Sequence, residues 1–277
     1  MREGQWYPGN MARSMNQLRQ DLKLVDLVIE LLDARIPISS RNPLFARLLA
    51  GKKTLLLLHK ADRANLDATG HWLSYFKDKD QDAISFSIYN KQSINQLMRY
   101  LKREKLGEHQ TRFKRSLRMM VVGIPNVGKS TLINYFLKKA AVKTGNQPGI
   151  TRGRQWIRIH PEIELLDTPG ILWPKITEDT SYPLAAVGAI PAGRYDLQNT
   201  ASWLIKHYQE KGIFGFMQKK YHWVGGRSED CLLEDIANEF GYLQSAGKPD
   251  IDRAAASLLR DFQEGALGRI TLEEVQG

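Results

Sequence analysis

The chain has 277 residues, 42% of them apolar and 25% charged, which is ordinary globular composition and long enough for one large domain or two smaller ones. A single cysteine, Cys231, excludes an internal disulfide framework and fits a reducing cytoplasm. Lys and Arg outnumber Asp and Glu by 40 to 30, a net charge of +10 that points to a polyanionic partner: RNA, DNA or an anionic membrane. No apolar run reaches the length of a membrane span, and the opening "MREGQWYPGNMARS" lacks the hydrophobic segment of a signal peptide.

In chain order, "VDLVIELLD" from Val25 to Asp33 reads as a buried strand and "PLFARLLAGK" from Pro43 to Lys52 as a helix. "KTLLLLHKAD" is a second strand with its loop, "HWLSYFKD" a helix and "DAISFSIYN" a third strand. In "SINQLMRYLKREKL", Ile94, Leu97, Met98 and Leu101 recur at helical spacing. This alternation predicts an α/β domain with a mostly parallel sheet and helices on both faces. Residues 99 to 118 carry eight basic and two acidic residues, which fits either a solvated helix and linker or an RNA surface. Then "LRMMVVGIPNVGKSTLINYFL" gives strand, loop and helix, and "RGRQWIRI" and "IELLDTPG" two more strands. After about Trp173 the strong strands stop. "TASWLIKHYQEK", "CLLEDIANEFGYL" and "DRAAASLLRDFQEG" are helix-like, so residues 1–175 are expected to form the α/β domain and 176–277 a small all-α domain.

"GIPNVGKS", Gly123 to Ser130, is a phosphate-binding loop in its required setting, after a strand and before a helix. Its glycines let backbone N–H groups turn inward on phosphate oxygens, and the helix N-terminus favours negative charge. The nucleotide contacts expected here are Asn126, Val127, Gly128, Lys129, Ser130 and Thr131. Lys129 is placed to reach the β and γ phosphates and Ser130 to ligate Mg²⁺. In "LLDTPG", Asp167 ends a strand where it can hold the Mg²⁺ through water, and the Gly170 N–H can reach the γ-phosphate. Thr151 lies between these motifs, where a switch threonine completes the metal shell.

The base is read from further up the chain. "HKAD" places Lys60 and Asp62 after the second strand. A carboxylate there accepts hydrogen bonds from guanine N1–H and its 2-amino group, which adenine lacks, and paired polar groups discriminate strongly. Ser87 and Ile88, in "SFSI", suit the loop that closes over guanine O6. These two motifs ordinarily follow the phosphate loop; here they precede it. Joining the ends of a sheet domain and cutting it between DTPG and HKAD produces this order while leaving the loops at strand ends. The spacing therefore fits a circularly permuted GTPase.

Together "WYPGNMARS", "LLDARIPISSRNP", "GIPNVGKSTLIN", "TGNQPGITRGRQW", "LLDTPGILWPK" and "GALGRITLEE" resemble, in content and order over nearly the whole chain, the circularly permuted ribosome-assembly GTPases of the ribosome biogenesis GTPase A family. The resemblance implies a cytoplasmic, monomeric GTPase with Mg²⁺ and a helical RNA-binding domain. Its implied partners are GTP and GDP, the large ribosomal subunit and its rRNA. Asn126 matches an asparagine that ligates potassium in related GTPases, which implies a K⁺ site. Ile171 stands where Ras-like enzymes carry a water-positioning Gln, so turnover is expected to be slow alone and stimulated by the large subunit. Three positions depart from the family: Asn10 replaces its histidine implicated in hydrolysis, His59 replaces the Asn of NKxD, and only Ser87 remains of its base-closing "SAK". His59 is left three roles: bonding the phosphate loop, bonding guanine N7, or packing at a strand end. The readings that remain are a slow GTPase of large-subunit assembly, a nucleotide-gated RNA-binding module with little or no hydrolysis, and an NTPase of relaxed base choice.

Overall fold

The computed structural model describes residues 8–106, 116–144, 156–166, 172–173, 176–213, 215–222 and 229–275. They fall into two compact units, one within Gln5–Pro174 and Glu273–Gly277, the other within Lys175–Leu272. A strap at the end of the chain thus belongs to the first unit, a return that no sequence pattern indicated.

The first unit is built on β1 (Leu27–Asp33), β2 (Lys53–His59), β3 (Asp82–Ser85), β4 (Leu117–Gly123), β5 (Trp156–His160) and β6 (Ile163–Leu166). Every residue of β1 is buried, as are the last five of β2. Near-continuous apolar runs of this kind suit strands covered on both faces. The helices that cover them include α1 (Pro8–Leu22), α2 (Pro43–Leu48), α3 (Leu66–Asp78), α4 (Lys91–Leu106) and α5 (Lys129–Thr144). α1 was not expected. Its sequence is polar overall, and Met15, Leu18 and Leu22 form its apolar stripe; Leu18 and Leu22 pack with Val28, Phe45 and Met120.

The sheet order is β3-β2-β1-β4-β6-β5. All neighbours are parallel except β5 and β6, which form an antiparallel hairpin closed by Pro161 and Glu162. A turn this short can join only antiparallel strands. Register decides where the motifs meet. Asp33 lies opposite His59, and Leu31 opposite Gly123. The carboxyl ends of β2, β1 and β4 therefore lie side by side at one edge, the usual ligand edge of a parallel sheet. Only β1 separates the strand that ends in "HKAD" from the strand that ends in the phosphate loop.

The second unit is helical among the described residues: α6 (Glu178–Ala186), α7 (Leu197–Glu210), α8 (Gly215–Tyr221), α9 (Glu229–Glu239) and α10 (Ile251–Glu264). α10 buries Ala254, Ala255, Leu258, Leu259 and Phe262, a stripe at helical spacing that gives the unit its core. Asp250 caps its first turn and Gly265, at φ +84°, ends it in the left-handed conformation that glycine adopts without strain. Tyr208 donates to the Leu267 carbonyl at 3.1 Å, and Tyr221 to Asp261.

One polar group interrupts the apolar middle of the sheet. Glu30, in β1, meets Arg41 at 3.3 Å through Oε2, while its buried Oε1 has no hydrogen-bond partner. Burial pushes this carboxyl above its ordinary range, and Arg41 only partly offsets that. The folded chain thus binds this proton more tightly than the unfolded chain. Its stabilising share is present at low pH and is lost as pH rises through the carboxylate range. Glu30→Gln should match the parent in urea denaturation at pH 4 and exceed it by about 1 kcal/mol at pH 8.

Candidate nucleotide site

The phosphate loop runs from Ile124 to Gly128 between β4 and α5. Asn126 takes φ +55°, a left-handed conformation that Asn tolerates better than most residues. Lys129 is buried, and its ammonium donates to the Gly123 carbonyl at 3.1 Å and the Ile124 carbonyl at 2.7 Å. The loop thereby wraps around a positive charge at the helix N-terminus. Ser130 and Thr131 are exposed on the first turn of α5, where orphan N–H groups and the helix dipole attract anions.

From the other side, β2 delivers His59 and Lys60. His59 Nδ1 lies 2.9 Å from the Val127 carbonyl, an acceptor, so Nδ1 carries the proton. The ring stacks near Phe86 and lies against Gly128. At Gly128 the φ is +111°, and an added Cβ would sit 2.4 Å from the His59 ring; only glycine fits. Burial, then the neighbouring Lys60 charge, pushes the His59 pKa down to about 4. It is neutral at pH 7, and its Nε2 is buried without a hydrogen-bond partner.

Lys60, itself in a left-handed conformation, donates 2.9 Å to the Asn126 carbonyl and pairs with Asp33 at 3.0 Å. Asp33 is fully buried. One of its oxygens accepts from the Arg35 backbone N–H and Nε, the other from Arg35 Nη2 at 2.8 Å and from Lys60. Burial opposes its charge, but Arg35 and Lys60 together hold the carboxylate far below the ordinary range. Burial likewise pushes Lys60 down, with Asp33 opposing. Sequence reasoning missed Asp33 and Arg35 as parts of the site; "DAR" stood only inside a family signature.

Asp62 is exposed, 3.7 Å from Arg63, a surface pairing of little strength that leaves the carboxylate accessible to a ligand. Ser87 is buried in a tight turn: it exchanges hydrogen bonds with Ser93 and accepts from the Tyr89 N–H. The Ile88 N–H makes no hydrogen bond among the described residues. The structure thus brings His59, Lys60, Asn126, Val127, Gly128 and Lys129 together, with Asp62 and Ser87 on the adjoining loops. Thr151, Asp167, Gly170 and Ile171 lie outside the described residues, as does the side chain of Asn10.

Residues 118–194 match the family model described as "50S ribosome-binding GTPase". Over nearly the full chain the sequence is similar to proteins called ribosome biogenesis GTPase A. The Bacillus cereus protein is 40% identical, with 97% of this chain and 93% of that one covered; the Thermotoga maritima protein is 33% identical, with the same coverage. Among solved structures, GNP-bound YlqF from T. maritima aligns over 95% of this chain and 98% of its own, with a TM-score of 0.70 and 28% identity.

His59 makes the site acid-sensitive. The unfolded chain protonates this histidine in the ordinary range while the folded chain resists down to about pH 4, so stability rises with pH across that window and is lost as pH falls. Between pH 7 and 4.5 the parent should lose roughly 2–3 kcal/mol from this group alone in urea denaturation, and His59→Asn should be spared about that amount.

Proposed function

The chain belongs to the ribosome biogenesis GTPase A family, and on that premise we propose that it serves the late assembly of the large ribosomal subunit, its nucleotide state governing its hold on rRNA. It is a GTPase with a circularly permuted domain. The observation that carries the guanine site is the junction of two loops far apart in the chain: His59 to Val127 and Lys60 to Asn126, each at 2.9 Å.

Each residue then has a task. Asn126–Thr131 surrounds the phosphates, and Lys129 exchanges its two loop carbonyls for β and γ oxygens, keeping its charge inside the loop throughout. Asp62 accepts from guanine N1–H and the 2-amino group, Lys60 packs beside the base, and Ser87 shapes the turn that presents the Ile88 N–H to O6. The exposed Ser130 hydroxyl, one residue from Lys129, is a suitable Mg²⁺ ligand, with Thr151 and Asp167 proposed to complete the set. When bound, the metal neutralises charge on the β and γ oxygens. Asn126 is the proposed K⁺ ligand. Catalysis on this reading rests on Lys129, Thr151 and Gly170.

Ile171 cannot orient a water, and Asn10 cannot act as a base at neutral pH. Slow turnover alone follows from these two side chains, and we propose that the large subunit raises it. The same two residues favour the second reading, a nucleotide-gated RNA-binding module that scarcely hydrolyses. The helical second unit is the proposed rRNA-binding part. No helix among the described residues is long and apolar enough to cross a membrane. We place the protein in the cytoplasm as a monomer.

The test is GTP and ATP affinity with Mg²⁺ and K⁺, followed by turnover with and without large ribosomal subunits. Selective GTP binding with stimulated turnover supports the first reading; selective binding without turnover supports the second; equal affinities reject the guanine site. Asp62→Asn should weaken GTP binding by about a hundredfold and shift preference to XTP, read by competition between the two nucleotides.

A further inference from the structure

The Asp33–Lys60 pair does not end at the phosphate loop. On its other side it continues, through Arg35, into the loop Ala34–Arg41, which is stiffened by its own bonds. The Ile36 N–H donates to the Asp33 carbonyl, the Ser40 N–H to the Ile36 carbonyl and the Arg41 N–H to the Ile38 carbonyl, each at 2.9 Å. The Ser40 hydroxyl accepts from the Asp33 N–H at 3.0 Å. A loop tied this way moves as a piece, and Arg35 moves with it.

That piece is gripped from outside by the strap. The Glu273 carboxylate accepts from the Ile38 N–H at 2.7 Å and the Ser39 N–H at 2.9 Å, one oxygen on each. Trp72, on the helix that follows "HKAD", donates from its indole to the Glu273 carbonyl at 3.3 Å. Two residues on, Val275 packs against the apolar cluster of Leu58, Ala64, Trp72 and Phe76 under the base-side loop. Glu273 directly follows Leu272, the last residue of the helical unit. Glu273 thus holds the Ile38 and Ser39 amides, the backbone of the loop carries that hold to Arg35, and from Arg35 hydrogen bonds and ion pairs run through Asp33 and Lys60 to the carbonyl of Asn126.

We propose that Glu273 is a positioning residue for guanine-nucleotide binding: docked on the Ile38 and Ser39 amides, it fixes the loop that sets Arg35, Asp33 and Lys60, so that strap docking and nucleotide binding reinforce each other. This rests on the guanine site proposed above. The physical basis is that the chain of contacts holds several charges in a dry place, where a displaced partner leaves a buried charge uncompensated. A nucleotide that orders Lys60 and Asn126 favours the docked strap, and the docked strap favours the nucleotide; the coupling is reciprocal by linkage.

The experiment uses the full chain and two variants, Glu273→Gln and a chain ending after Leu272, with GDP as the probe. GDP affinity is measured by calorimetry, and amide hydrogen exchange is followed over residues 34–41. Thermal unfolding checks that each variant folds, and Glu273→Gln keeps the strap's shape should the shorter chain fold poorly. The expected result is a loss of GDP affinity of about tenfold in Glu273→Gln, within the usual range of coupling between sites. GDP should also slow exchange at Ile38 and Ser39 in the parent and do so less in the variant. Unchanged GDP affinity in a folded Glu273→Gln, with exchange at Ile38 and Ser39 indifferent to GDP, overturns the linkage and leaves the guanine site standing. Failure of the parent itself to bind GDP overturns both.

Discussion

The buried carboxylate of Asp33 is the constraint on which this domain turns. An anion removed from water at the end of a central strand is costly unless compensated on every side. Here each oxygen receives two donors, and two cations, Arg35 and Lys60, share the charge. Neither cation can leave without stranding the anion. Lys60 is therefore fixed where it also reaches the Asn126 carbonyl, and the loop after β2 acquires a set distance from the phosphate loop. A binding site for a nucleotide needs that distance constant, because base and phosphates are parts of one small, semi-rigid ligand.

The sheet explains why the order of motifs along the chain does not matter. Each strand contributes only the loop beyond its carboxyl end, and the lateral order of strands, not their order in sequence, decides which loops are neighbours. β1 stands between β2 and β4, with Asp33 in register with His59 and Leu31 in register with Gly123. A chain cut elsewhere and rejoined reaches the same lateral order as long as its ends can be connected. What permutation changes is the attachment of the second unit. The DTPG motif precedes the link to the helical unit, and the strap follows that unit and rejoins the first. The helical unit is thereby bracketed in sequence by two segments of the nucleotide-binding unit.

Much of this was readable from residues alone, for identifiable reasons. The phosphate loop announces itself because backbone geometry demands its glycines and chemistry demands its lysine within a fixed span. Lys60 and Asp62 stood out because a strand so apolar ends abruptly in charges. Asp33 and Arg35 were invisible as a pair, since a carboxylate at a strand end looks the same whether it meets solvent or a buried guanidinium; only three-dimensional register shows Lys60 beside it. α1 was missed because few apolar residues suffice when a helix buries one narrow stripe. The strap was missed because its grip depends on two backbone N–H groups, which carry no residue identity. The antiparallel pairing of β5 and β6 is set by the two-residue turn between them, not by the apolar pattern of either strand, which reads the same in both directions.

The geometry also narrows the roles left open for His59. An asparagine offers both a donor and an acceptor on one planar group, so it can hold a loop carbonyl and a base nitrogen by different choices of atom. A neutral imidazole has one of each, and here the donor is committed to Val127. The atom that remains, Nε2, is an acceptor, and guanine N7 is an acceptor too; two lone pairs facing each other repel rather than bind. With burial and Lys60 both opposing a second proton, the ring does not convert to a double donor at neutral pH. His59 therefore serves the phosphate loop and contributes nothing attractive at N7. On the proposed guanine site, base discrimination falls to Asp62 on the opposite edge of the purine, aided by the Ile88 N–H at O6. That division suffices in principle, because the carboxylate reads the two hydrogens that distinguish guanine from adenine, whereas N7 is common to both purines.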